Sequence, residues 1–133
     1  MDIYGVRKLF HRVSRMDDFD LAQILMDEYN MKIIAATSHK AKGARELAFL
    51  FDIPMASCYR KIKELVGAGL LKPDGTELSS DGKRYNVYLS QIDCVTLVYE
   101  RGQMRMKVDM HSMPPIEIVR DMALPAKKDG DGR

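Results

Sequence analysis

The chain has 133 residues, of which 46% are hydrophobic and 30% charged, and its net charge is +2. This is an ordinary globular composition with length for one domain and a core, which excludes a polar disordered tract. Apolar runs fall short of the roughly 18–20 residues of a membrane helix, and the start MDIYGVRKLFHRV lacks the apolar segment of a secretory signal.

Residues 3–13 place Ile3, Val6, Leu9, Phe10 and Val13 at helical spacing, with Arg7, Lys8, His11 and Arg12 between them. The pattern predicts an amphipathic helix within a segment 1–16, a candidate dimerisation arm. Asp17 or Asp18 is placed to cap a second helix over 19–29, with Phe19, Ala22, Ile24, Leu25 and Met26 as its apolar residues. After a slight break at Asn30, the helix continues through 31–37. Residues 38–43 are polar, contain Gly43 and form a connection.

Ala44, Leu47, Ala48 and Phe51 make one face of a short helix. Met55, Cys58, Ile62, Leu65 and Val66 make a second such face, and only Asp52, Ile53 and Pro54 separate the two. Proline suits a helix's first turn, and Gly67 and Gly69 end the second helix. Two helices so closely joined, each with a buried stripe, read as a helix-turn-helix. With Cys58, Ile62 and Leu65 inward, the second helix turns Ser57, Arg60, Lys61 and Glu64 outward, with Tyr59 at the margin. Hydroxyls and cations on such a face suit a major groove, where arginine pairs with guanine and lysine meets phosphate. A solvated outer face explains the same residues more simply, so the neighbouring sequence has to decide.

Charge distribution adds weight. Residues 31–63 carry seven bases, Lys32, Lys40, Lys42, Arg45, Arg60, Lys61 and Lys63, against two acids. Residues 17–30 carry five acids and no base. Segments 77–80 and 83–89 then flank Asp81-Gly82, a two-residue hairpin signal. Tyr85, Val87 and Leu89 alternate with Arg84, Asn86 and Tyr88, as in a half-buried strand. A hairpin directly after a helix-turn-helix reads as a wing, with Lys83 and Arg84 near its tip. A second hairpin pairs 92–100 with 103–110 around Arg101-Gly102, and Met104, Met106, Val108 and Met110 alternate with Arg105, Lys107 and Asp109. Beyond it lies a tail, 111–133, broken by Pro114-Pro115, with a short helix expected over 116–124.

The stretch 43–71, GARELAFLFDIPMASCYRKIKELVGAGLL, resembles the core of the ArsR-like winged-helix regulators. The likeness rests on Glu46-Leu47-Ala48, on Phe51 and Ile53 around the turn, and on Arg60. It extends through Ile62, Lys63 and Leu65 to the exit Ala68-Gly69-Leu70-Leu71. With the wing it spans roughly half of the chain, and Val87–Ser90 followed by a hairpin is similar to small archaeal members. The resemblance implies an α+β winged helix-turn-helix fold over 17–91, a hairpin extension over 92–110, and a homodimer on double-stranded DNA. On the outward faces and charges read above, Lys40, Lys42, Ser57, Tyr59, Arg60, Lys61, Lys63, Lys83 and Arg84 are the residues expected at the DNA. Three residues depart from the pattern. Asp52 stands where the family has glycine, Pro54 replaces a capping serine, and Tyr59 replaces a small side chain.

Other classes find less support. The first helix of the motif, ELAFLFD, lacks the cysteines of a metal sensor; Cys58 falls on the buried stripe, and both it and Cys94 read as core residues. Asp109-x-His111 is half of a ligand set with no second histidine. No GxSxG, P-loop, HExxH or dinucleotide fingerprint is present, so neither an enzyme nor a cofactor is expected. No motif marks a small-molecule effector. Two cysteines without a CxxC pair fit a cytoplasmic, reduced protein with no membrane partner. The competing reading is a winged-helix protein–protein adaptor in transcription machinery, toward which Glu64, Glu77 and Asp81 lean.

Overall fold

The computed structural model describes residues 18–124. The expected helix over 3–13 lies outside the described residues. Those residues form an α+β fold with four helices and two three-stranded antiparallel sheets. None of these helices is long and apolar enough to cross a membrane.

Helix α1 (Asp18–Met26) and helix α2 (Glu28–Ala36) are separated at Asp27 and not at Asn30. Asp27 is extended (φ −77°, ψ 126°), and its carboxylate accepts from the Asn30 N–H at 2.9 Å. An aspartate whose carboxylate faces the first free N–H groups of a helix starts a new one. Asn30 itself is buried and sends its Nδ2 to the Ile24 carbonyl at 3.1 Å, which locks the bend. Thr37 closes α2, with its N–H and hydroxyl both reaching the Ile33 carbonyl.

Strand β1 (Lys42–Gly43) leads into helix α3 (Ala44–Phe51) and helix α4 (Met55–Gly67). The turn between them rests on Asp52, which is left-handed (φ 54°, ψ 50°). Aspartate tolerates that region better than most residues, so the missing glycine does not prevent the turn. The Ile53 N–H then closes on the Ala48 carbonyl at 2.9 Å. Ala44, Leu47, Ala48, Cys58, Ile62 and Leu65 are buried as the spacing predicts, while Met55 is 38% exposed. Leu21, Leu25, Ile33, Leu70 and Leu71 complete the core beneath these helices.

Strands β2 (Leu71–Leu78) and β3 (Arg84–Ser90) pair, and β1 joins β3 through Lys42↔Tyr88 and Gly43↔Val87. The β2–β3 loop is longer than the two residues expected. Ser79 N–H bonds the Lys83 carbonyl at 2.8 Å, and Gly82 N–H bonds the Ser79 carbonyl at 3.0 Å. Gly82 sits at φ 86°, so the loop is 80–82, a turn followed by a left-handed glycine.

Strands β4 (Ile92–Glu100) and β5 (Gln103–Met110) form the expected second hairpin. The expected helix over 116–124 is instead strand β6 (Met113–Asp121), paired through Val108↔Ile116 and Met106↔Ile118. The extension therefore runs to Asp121. Ile116 and Ile118 alternate with Glu117 and Val119, a period of two, and a β-branched run fits a pleated edge better than a helix. The two prolines fall at the start of an outer strand, where a missing N–H is tolerated. Met104, Met106, Val108, Met110, Ile116 and Ile118 join the same core as α1, which packs on β6. Cys94, expected in the core, is exposed, because it lies on the opposite, uncovered face of this sheet.

Asp27 ties the helical layer together, since Lys61 Nζ also lies 3.3 Å from its carboxylate. Burial opposes its charge, but the Asn30 N–H, the Lys61 ammonium and the Tyr29 N–H outweigh burial and hold its pKa below the ordinary value. A lowered carboxylate pKa stabilises the fold above the unfolded-state pKa, and that stabilisation is lost as pH falls through the folded value. Asp27→Ala is expected to cost about 0.5–2 kcal/mol near neutral pH. Denaturant melts should show the gap to wild type shrinking once pH drops below the usual carboxylate range.

Candidate nucleic-acid interface

Helix α4 presents three faces. Cys58, Ile62 and Leu65 point into the core, and Ala56, Arg60, Lys63 and Glu64 lie exposed on the far side. Tyr59 flanks this outer stripe on one margin, and Ser57 and Lys61 flank it on the other. Lys61 does not reach outward as expected. It is half-buried against α2, bound to Asp27, with its ammonium 5.8 Å from the Tyr29 ring centroid. The carboxylate it meets is Asp27, the residue that caps α2, and this pairing holds the ammonium inward. Ser57 is also half-buried.

The opposite margin is open. Tyr59 lines a groove of ≈ 850 Å³ between the two helices and the β2–β3 hairpin. Phe49 and Arg45 of α3 lie on the same wall, and Leu78, Lys83, Arg84 and Tyr85 form the other. Lys83 and Arg84 are exposed there, with Arg84 bonded to the Thr76 hydroxyl at 3.1 Å. The hairpin tip is organised from within. Ser79 hydrogen-bonds Asp81, and both side chains accept from the Lys83 N–H. The Ser79 hydroxyl and then the Lys83 N–H hold the Asp81 pKa below its ordinary value, so the tip carries a fixed negative charge beside its cations. A hydrogen bond to Glu77 raises the Tyr85 pKa and orients its ring along the groove.

The structure thus brings Tyr59, Lys83 and Arg84 to one groove and sets Arg60 and Lys63 beside it on the outer stripe. Lys40 is exposed ahead of β1, while Lys42 turns back and donates to the Ala36 carbonyl at 2.6 Å. Lys61 and Lys42 are therefore bonded within the fold, and Ser57 is only partly exposed. Three further lining residues escape a reading based on charge. Phe49 is 86% exposed, Leu78 62% and Tyr85 38%. A signal for Phe49 exists in the sequence: it lies off the Ala44–Leu47–Ala48–Phe51 stripe, and a large apolar side chain off its helix's buried face has no core to enter.

Cys58 is fully buried with its Sγ 3.5 Å from the Ala44 carbonyl, and burial pushes its thiol pKa up. A thiol held protonated in the core is a packing group at neutral pH. His111 is exposed, and its Nδ1 lies 2.6 Å from Asp93 rather than beside Asp109. Among the described residues, no three of His, Cys, Asp and Glu converge as a metal site. No family model matches the chain, and a search of curated proteins finds no match.

The groove's back wall is a close approach. A Cβ at Gly43 would meet the Tyr85 ring at 2.8 Å and the Asn86 carbonyl at 3.1 Å. Gly43→Ala is expected to push Tyr85 out of place and to cost about 1–3 kcal/mol, the usual penalty of overpacking. Thermal melts would read the loss, and tyrosine NMR shifts would place it at Tyr85.

Proposed function

We propose that this chain is a winged helix-turn-helix protein that binds double-stranded DNA and regulates transcription. In this reading α4 enters the major groove and the β2–β3 hairpin is the wing. The observation that carries it is the joint placement of Arg60 and Lys63 on the exposed stripe of α4 beside a groove whose far wall holds Lys83 and Arg84. Arg60 is the candidate base reader, because a guanidinium fork matches guanine's major-groove edge. Lys63, Lys83, Arg84 and Lys40 are the candidate phosphate contacts, which fix register without reading sequence. Tyr59 supplies an aromatic ring at the edge of the same stripe, suited to a sugar or a thymine methyl. Lys61 and Lys42, bound to Asp27 and to the Ala36 carbonyl, serve the fold in this reading, and Ser57 keeps a partial exposure at the margin of α4.

A second reading is favoured by one observation. Phe49, Leu78 and Tyr85 give the groove an exposed apolar lining, which suits a protein partner as an adaptor would need. The two readings separate in one experiment. Fluorescence anisotropy on duplex carrying the gene's own upstream region, with random duplex as competitor and over a salt series, should give binding that outcompetes random DNA and weakens steeply with salt. Absence of binding to either duplex at low salt would overturn the DNA reading and leave the adaptor.

Two variants divide the roles. Arg60→Ala is expected to relax sequence preference and to cost about 1–3 kcal/mol of specific binding. Lys83→Ala is expected to weaken all sequences alike and to make the log–log salt slope shallower by about one unit. Identical behaviour of the two variants in the same titration would contradict this division.

A further inference from the structure

Five Phe and Tyr rings stand exposed among the described residues, and three of them meet in one place. Tyr29 and Tyr99 are apart, on α2 and β4. Phe49, Tyr59 and Tyr85 come from α3, α4 and β3 and line the same groove of ≈ 850 Å³. Leu78 is the one large aliphatic side chain exposed beside them. Phe49 is 86% exposed and lies off the buried stripe of α3, so the core does not account for it. Tyr85 is fixed in advance. The missing side chain of Gly43 makes room for its ring, and its hydroxyl donates to Glu77 at 3.1 Å. A ring held in place before a ligand arrives loses little freedom on binding.

Charges of both signs border the rings. Arg45, Lys83 and Arg84 are exposed along the groove, and so are Glu46 and Asp81. Cations alone would suit a bare phosphate, which carboxylates repel. Rings, cations and carboxylates together match the three parts of a nucleotide: a flat base face, a phosphate, and an edge of amino donors. An apolar peptide needs no rings in place of aliphatic side chains, and here rings outnumber them. A base inside a duplex hides its face in the stack, so only an unpaired one presents it. We propose that this groove takes an unpaired nucleotide of a DNA strand, its base stacked on Phe49 beside Tyr59 and Tyr85 and its phosphate toward Lys83 and Arg84. This use of the groove rests on the DNA reading of the same face. There α4 holds the duplex, and the groove takes a base from a single-stranded tail or gap next to it.

Three probes test it: a blunt duplex of the gene's own upstream region, the same duplex with a tail of about ten unpaired nucleotides, and that tail made of abasic sugar-phosphate. The wild type should bind the tailed duplex about tenfold more tightly than the blunt one, the effect of one stacked base. The abasic tail keeps the phosphates and should lose most of that gain. Phe49→Leu keeps an apolar side chain without the ring, and it should abolish the gain while blunt-duplex affinity holds. The chain has no tryptophan, so Phe49→Trp puts one reporter into the groove. Its emission should fall on the tailed duplex and hold on the blunt one. Equal affinity for tailed and blunt duplexes would overturn the nucleotide groove and leave it to a protein partner, with the duplex reading intact. Absence of binding to every probe would overturn both. A full gain in Phe49→Leu or with the abasic tail would also overturn the groove's role. So would quenching by a free mononucleotide at the concentration at which the tail acts, because the site would then hold a small ligand.

Discussion

The rest of the molecule hangs on a junction of two residues, Ser90 and Gln91. The chain leaves β3 at Ser90 and enters β4 at Ile92, so one sheet passes into the other without a loop. Every free backbone group there is used. Ser90 N–H bonds the Thr37 carbonyl at 3.0 Å, which ties β3 to the end of α2. Gln91 N–H bonds the Leu70 carbonyl at 2.9 Å, which ties the junction to the exit of α4. The Gln91 carbonyl accepts from His111 N–H at 3.0 Å, and the Ser90 hydroxyl accepts from Ile92 N–H at 3.1 Å. Ser90 is only 1% exposed, so losing any one partner would strand a polar group in the core. These bonds orient the β2–β3 hairpin against α3 and α4, and with it the groove between them.

That placement settles which charges face outward. A count of lysines and arginines along the chain treats each as equal, yet burial sorts them. Lys61 and Lys42 spend their ammonium groups on Asp27 and on the Ala36 carbonyl. Arg60, Lys63, Lys83 and Arg84 stay at the surface. The local basic excess is therefore smaller than the sequence suggests and more concentrated near one groove, where low-dielectric walls such as Phe49 and Tyr85 strengthen its field.

Much of the architecture was legible because it is periodic. The stripes of α3 and α4 and the alternation of β5 have one strong period each, and the structure follows them. Asp52 was legible as a turn residue through its tolerance of a left-handed backbone. The helix break at Asp27 was not, because a capping aspartate inside a long helical pattern looks like one more polar residue until its carboxylate finds Asn30. β6 was missed for the opposite reason. Two prolines suggested an ending, while the need of β5 for a partner on its second side is visible only in three dimensions. Among site residues, charge and outward spacing pointed correctly to Arg60, Lys63, Lys83 and Arg84 as surface groups. They failed for Lys61, whose fate depends on the Asp27 carboxylate at the break between α1 and α2.

The second sheet is a meander: β4, β5 and β6 follow one another with tight turns at Arg101-Gly102 and at His111-Ser112. All its pairings join neighbours in the chain, so little loop entropy is lost in closing them. The β1–β3 pairing, by contrast, closes a loop that contains α3, α4 and β2. Low contact order favours early formation of the meander during refolding. The order of events then carries a hazard. Early in refolding the bare edge of β4 stands ready while the helices are still unformed, and a chain in that state is open to pairing with others through this strand.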